Sequence, residues 1–182
     1  MKCPVCKQQS LQLISLSENL PANQCSNCRG IWVSSNQYLA WLRMQPGPLP
    51  ESETSDFTPE LHTNTLKLCP ESGHIMKRFK VFPHVDFYLD RCGHCNGIWF
   101  DSAEWDALVA HNMQDKVNQF FTAPWQAQLR KKESRANMER IYRSKLGVED
   151  YQRIQEVRAW LDENPRRSML IAFLQADDPF EV

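Results

Sequence analysis

The chain has 182 residues, 42% of them hydrophobic and 24% charged, with a formal net charge of -1. That composition is globular rather than disordered, and the near-neutral charge argues against a protein that coats nucleic acid non-specifically. No apolar run approaches the length of a membrane span.

The N-terminus opens directly into a cysteine knuckle, Cys3-Pro4-Val5-Cys6, with no signal-peptide core. The expected location is the cytoplasm, where thiols stay reduced. Leu11, Leu13 and Leu16 follow as a hairpin, and Cys25-Ser26-Asn27-Cys28 forms a second knuckle. Two C-x-x-C pairs separated by a short stretch of chain can wrap one tetrahedral zinc, because each tight turn offers two thiolates to the same point. Buried small hydrophobes are not expected in such pairs, and seven cysteines are an odd number for disulfides. Cys3, Cys6, Cys25 and Cys28 are therefore expected to bind a first zinc ion.

Past the second knuckle, Gly30 suits a chain leaving the turn with positive φ, and Trp32 reads as the cover of a small core. Ser34 with Gln37 three residues on signals a capped helix start, and Tyr38 begins its apolar face. A stretch rich in Pro and acidic residues then spans 45–66, with Pro46, Pro48, Pro50 and Pro59 among Glu51, Glu53, Asp56 and Glu60. It reads as an extended linker.

The pattern now repeats. Cys25-Ser26-Asn27-Cys28-Arg29-Gly30-Ile31-Trp32 returns as Cys92-Gly93-His94-Cys95-Asn96-Gly97-Ile98-Trp99, and Cys3-Pro4 returns as Cys69-Pro70. Val85, Phe87 and Leu89 alternate as a strand, with Phe79 and Val81 before Pro83 as its partner and His84 as an ordinary hairpin residue. Asp101 and Glu104 repeat the capping signal, predicting a helix from Ser102 to Asn112. Ser72 stands where the second cysteine of the knuckle is expected, while His74 gives C-x4-H. An imidazole is a better zinc ligand than a hydroxyl. The expected second set is Cys69, His74, Cys92 and Cys95, against an open or degenerate site, with the His94 side chain pointing away from the metal.

The rest of the chain reads as helical. A stretch from Gln114 leads to Phe120 and Phe121, and Pro124 suits the first turn of a long helix reaching Leu146, where Gly147 ends it. Val148, Tyr151, Ile154, Val157 and Leu161 mark one face of a further helix. Asn164-Pro165 opens a last one carrying Met169, Leu170, Phe173 and Leu174. These faces are expected to pack on each other or on the second repeat. Residues 125–146 hold seven basic and two acidic side chains, and residues 147–182 hold four basic and eight acidic. Arg130, Lys131, Lys132 and Arg135 are the residues a phosphate backbone would meet, although basic charge spread around the helix reads first as a solvated face.

Cys3, Pro4, Cys6, Cys25, Cys28, Gly30 and Trp32 together resemble the transcription-factor-IIB-type zinc-ribbon family. Cys69, Pro70, Cys92, Cys95, Gly97 and Trp99 resemble it again, with the irregularity at Ser72. The resemblance implies structural zinc and a role near transcription. The expected fold is a small metal-stabilised α+β protein. It comprises a first ribbon with short helix at 1–44, the linker at 45–66, a second ribbon with short helix at 67–112, and an α-helical region at 113–182. The expected function is non-catalytic macromolecular interaction with two structural zinc ions and another protein as partner. Weak nucleic-acid binding through residues 124–146 is the alternative, and a zinc hydrolase or thiol-redox enzyme at the irregular site is the second alternative. No membrane association is expected, and the oligomeric state is open.

Overall fold

The computed structural model describes residues 1–47, 65–83 and 85–180. Most of the expected linker, and His84, lie outside the described residues. The chain divides into two compact units, Met1–Glu133 and Ser134–Val182, so the division falls inside a helix and well beyond the expected 112/113 boundary.

In the first unit the two ribbons share one sheet. Strands β1 (Leu11–Ser15), β2 (Pro21–Cys25) and β3 (Ile31–Val33) come from the first ribbon, and β4 (Met76–Lys80), β5 (Tyr88–Cys92) and β6 (Ile98–Phe100) from the second. Their order is β1-β2-β3-β6-β5-β4, and every pairing is antiparallel. At the seam, Trp32 faces Trp99, with Ile31 opposite Phe100 and Val33 opposite Ile98. Equivalent tryptophans therefore meet at the centre of a local two-fold. The strands of the second hairpin run further toward Cys92 than the alternation of Val85, Phe87 and Leu89 predicts. Phe79 pairs with Leu89 in register, while Val81 N–H donates to Phe87 O just beyond the strand ends.

Side chains alternate across a strand, and the seam strands are apolar on both faces. Ile31, Val33, Ile98 and Phe100 enter the main core under the helices, while Trp32 and Trp99 join the buried cysteines on the other face. Helix α1 (Ser35–Arg43) starts with the expected capping box: Ser34 Oγ accepts from Gln37 N–H, and Gln37 Oε1 accepts from Ser34 N–H. Helix α2 is shorter than predicted at both ends, Glu104–Ala110, and the expected box at its start is only half made. Asp101 N–H donates to Glu104 Oε2 at 2.7 Å, but the Asp101 carboxylate is turned to Trp99 and Lys67, and Ala103 enters the helix at φ 67°.

Trp41 and Trp105 meet edge to face across the two short helices, with ring centroids 6.0 Å apart. Tyr38 Oη donates to Gln114 O and accepts from Val117 N–H, fixing α3 (Val117–Phe120) over the core. Helix α4 (Ala123–Leu146) begins in the same unit. There Trp125 Nε1 donates to Val81 O, Gln126 Nε2 donates to Lys80 O, Leu129 is buried, and Lys80 pairs with Glu133.

The second unit contains the end of α4, α5 (Val148–Glu163) and α6 (Arg167–Gln175), with Gly147 at φ 80° joining the first two. Arg143 lies over the Tyr151 ring, and Met138, Tyr142, Leu146, Tyr151 and Ile154 line a groove of about 660 Å³. Neither α5 nor α6 buries a residue, so the apolar faces expected to pack away stand largely in solvent. No helix among the described residues is long and apolar enough to cross a membrane.

Candidate metal centre

Each knuckle is a tight turn closed by its own backbone. Lys7 N–H donates to Cys3 O and Arg29 N–H to Cys25 O; in the second ribbon Gly73 N–H donates to Cys69 O and Asn96 N–H to Cys92 O. The residue after each second corner takes the left-handed conformation, with φ of 61° at Lys7, 60° at Arg29, 73° at Gly73 and 59° at Asn96. The positive φ thus falls one residue before Gly30 and Gly97, which corrects the expected role of those glycines. Their need is for space. A Cβ on Gly30 would stand 2.2 Å from the Trp99 indole, and a Cβ on Gly97 would stand 2.2 Å from the Trp32 indole. Each glycine is the seat of the other ribbon's tryptophan.

In the first ribbon the turns bring Cys3, Cys6, Cys25 and Cys28 together, with all four sulfurs within 4.8 Å of one another. Cys3 Sγ lies 3.5 Å from Cys28 Sγ, and Cys25 Sγ 3.9 Å from Cys6 Sγ. A tetrahedron built on Zn–S bonds of about 2.3 Å has edges of about 3.8 Å, so the four thiols fit one zinc ion. Cys6 N–H and Asn27 Nδ2 donate to sulfurs of the set, to Cys3 at 3.3 Å and Cys6 at 3.2 Å. Such bonds favour the thiolate form that the metal requires.

In the second ribbon Cys69, Cys92 and Cys95 converge in the same way, with Cys69 Sγ 3.5 Å from Cys95 Sγ. His74 is not part of this set. Its ring is exposed, stacks on the exposed His94 ring at 4.4 Å, and places Nδ1 3.1 Å from Ser72 O. The reason is local: His74 O accepts from Cys69 N–H, so His74 already belongs to the chain leaving the knuckle, outside the turn that faces the metal. Ser72 lies at the remaining corner, with Oγ 3.3 Å from Cys92 Sγ. None of the seven cysteines is in a disulfide, and the two clusters fit two structural zinc ions, one per ribbon.

Electrostatics in the metal-free centres split each second knuckle. Burial opposes ionisation of Cys92, but the Ser72 hydroxyl and the N–H groups of Cys95 and His94 outweigh it and hold the thiol down to about 6. Burial pushes Cys95 up to about 12. In the first ribbon the same contest, won by the N–H groups of Cys28 and Asn27, leaves Cys25 at about 7, while burial drives Cys28 upward.

Behind the second site lies a charge cluster that sequence patterning missed. Buried Lys67 donates to Asp90 at 2.5 Å and to Asp101 at 2.9 Å, and Asp101 also accepts from Trp99 Nε1 at 2.8 Å. Burial raises the Asp90 carboxyl above its ordinary range despite the lysine. The first ribbon has no counterpart: Ser34 stands where Asp101 does, and Trp32 Nε1 is buried without a hydrogen-bond partner among the described residues. Arg130, Lys131, Lys132 and Arg135 are all exposed on α4 and lie apart from both metal sets in sequence.

The family described as transcription factor zinc-finger, of the zinc-ribbon IIB type, matches residues 2–44 and again residues 68–111. Those spans coincide with the two knuckle pairs and their short helices. No curated protein and no solved structure matches the chain.

Proposed function

Starting from two tandem zinc ribbons of the transcription-factor-IIB type, we infer that the protein is a non-catalytic, zinc-stabilised module that acts by binding another protein. A cytoplasmic setting near the transcription machinery suits seven free thiols and the family of the ribbons. The observation that supports this reading is the apolar surface of α5 and α6, where Trp160, Met169, Phe173 and Leu174 are all more than half exposed. Large apolar side chains left exposed on two helices of so small a unit favour a protein partner over water. The closed four-thiolate set of the first ribbon supports a structural rather than catalytic metal, since it leaves no position for an activated water.

A second reading is weak nucleic-acid binding, favoured by the exposure of Arg130, Lys131, Lys132 and Arg135. The test is capture of partners from lysate by the tagged full chain, before and after nuclease treatment, alongside a Trp160→Asp/Phe173→Asp variant. The protein reading expects capture to survive nuclease and to be lost with the double variant, zinc content being unchanged. Capture that disappears with nuclease, falls steeply with salt and is lost when the four basic residues are replaced would overturn it in favour of phosphate binding.

A further inference from the structure

The two ribbons are an internal experiment in which one metal corner differs. Cys6 N–H donates to Cys3 Sγ at 3.3 Å, and Ser72 N–H donates to Cys69 Sγ at the same 3.3 Å. Cys6 Sγ faces Cys25 Sγ at 3.9 Å, and Ser72 Oγ faces Cys92 Sγ at 3.3 Å. Lys7 and Gly73 close the two knuckles with equivalent backbone bonds at equivalent left-handed positions. Both corner residues are half-buried, whereas His74 is exposed. The serine knuckle has therefore kept the shape of a cysteine knuckle and changed only the donor atom. The shorter spacing at that corner matches the chemistry, since a zinc–oxygen bond is about 0.2 Å shorter than a zinc–sulfur bond.

We propose that the Ser72 hydroxyl is the fourth donor of the second zinc site, and that this makes the second zinc exchangeable while the first is held fast. Four thiolates surround zinc with four negative charges, whereas three thiolates and a neutral hydroxyl supply three. The hydroxyl is also the harder and weaker donor to a borderline-soft ion. A stronger incoming ligand, such as the thiolate or nitrogen donor of a chelator, can displace it without first breaking a zinc–sulfur bond. The first ribbon offers no such corner, because each of its four donors is a thiolate within a knuckle. Cys25 ends β2 and Cys92 ends β5 of one continuous sheet, so the strand pairing that joins the ribbons does not run through the second metal.

The experiment uses the full chain loaded with zinc and follows release to a chromogenic nitrogen chelator in excess. The expected course is biphasic, with one zinc per chain released at least about tenfold faster than the other. Ser72→Cys should convert the fast phase to the slow one and strengthen the thiolate-to-cobalt charge-transfer band when cobalt replaces zinc. His74→Ala should leave both phases unchanged. Equal release of the two ions from the natural chain, no slowing in Ser72→Cys, or a faster release caused by His74→Ala would each overturn the proposal. Ser72→Cys reproduces the donor pattern of the first ribbon, so its folding is not in question, and its circular dichroism serves as the check.

Discussion

The seam between the ribbons can be tested by adding a single methyl group. A Cβ on Gly30 would sit 2.2 Å from the Trp99 ring carbon Cζ2 and 2.9 Å from two more ring atoms. An ordinary carbon contact begins near 3.4 Å, so the rigid and fully buried indole would have to retreat by about 1.2 Å. It cannot do so freely, because its Nε1 is bonded to Asp101 and its strand is paired on both sides. Overpacking of this kind costs about 1–3 kcal/mol. Gly30 does not have a positive φ, so without the tryptophan the same Gly→Ala change would stabilise by about 0.4–1 kcal/mol through the unfolded chain. The two expectations differ in sign. Denaturant unfolding of Gly30→Ala with zinc in excess decides between them, and Gly97→Ala should also lose stability against Trp32, by less because no hydrogen bond holds that indole's Nε1 among the described residues. A double-mutant cycle with Trp99→Leu should recover much of the loss. If Gly30→Ala is neutral or stabilising, the ribbons do not meet as described.

Lys67→Met should cost about 3–5 kcal/mol in denaturant unfolding, because it leaves Asp90 and Asp101 buried without their shared cation; a loss below about 1 kcal/mol would contradict the cluster. With the second site emptied by chelator and the first still loaded, the Cys92 thiolate contributes stability that is complete above the ordinary thiol value of 9.0 and is lost as pH falls through about 6. Cys95, raised to about 12, instead costs stability above pH 9.0, so thermal unfolding in chelator should show a maximum near that pH, and a flat profile would refute the assignment.

Local chemistry was the legible part of this sequence. The x-x spacing of the cysteine pairs located the first metal set, and the return of Cys-Pro and of Gly-Ile-Trp located the three cysteines of the second. The same repeat held the seam in plain view without revealing it. A glycine beside a knuckle reads as a turn residue, and only the pairing of β3 with β6 shows that it receives a tryptophan from the other copy. At the irregular corner two local signals competed. Imidazole is the better zinc ligand and pointed to His74, but the unchanged C-x-x spacing and the glycine after Ser72 fixed the knuckle's shape, and shape won. Lys67, Asp90 and Asp101 lie 23 and 34 residues apart, so no periodicity could assemble them. The helical faces of α5 and α6 were visible as periodicity, yet amphipathic spacing states only which side is apolar and not whether anything covers it.

One zinc ion per ribbon stabilises the six-stranded sheet, and native mass spectrometry of the purified full chain counts those ions directly. A chain carrying two zinc ions, with one lost readily to chelator and the second only on unfolding, is the expected result. A chain that carries one zinc or none, under non-chelating conditions and with its six-stranded core intact, would contradict it.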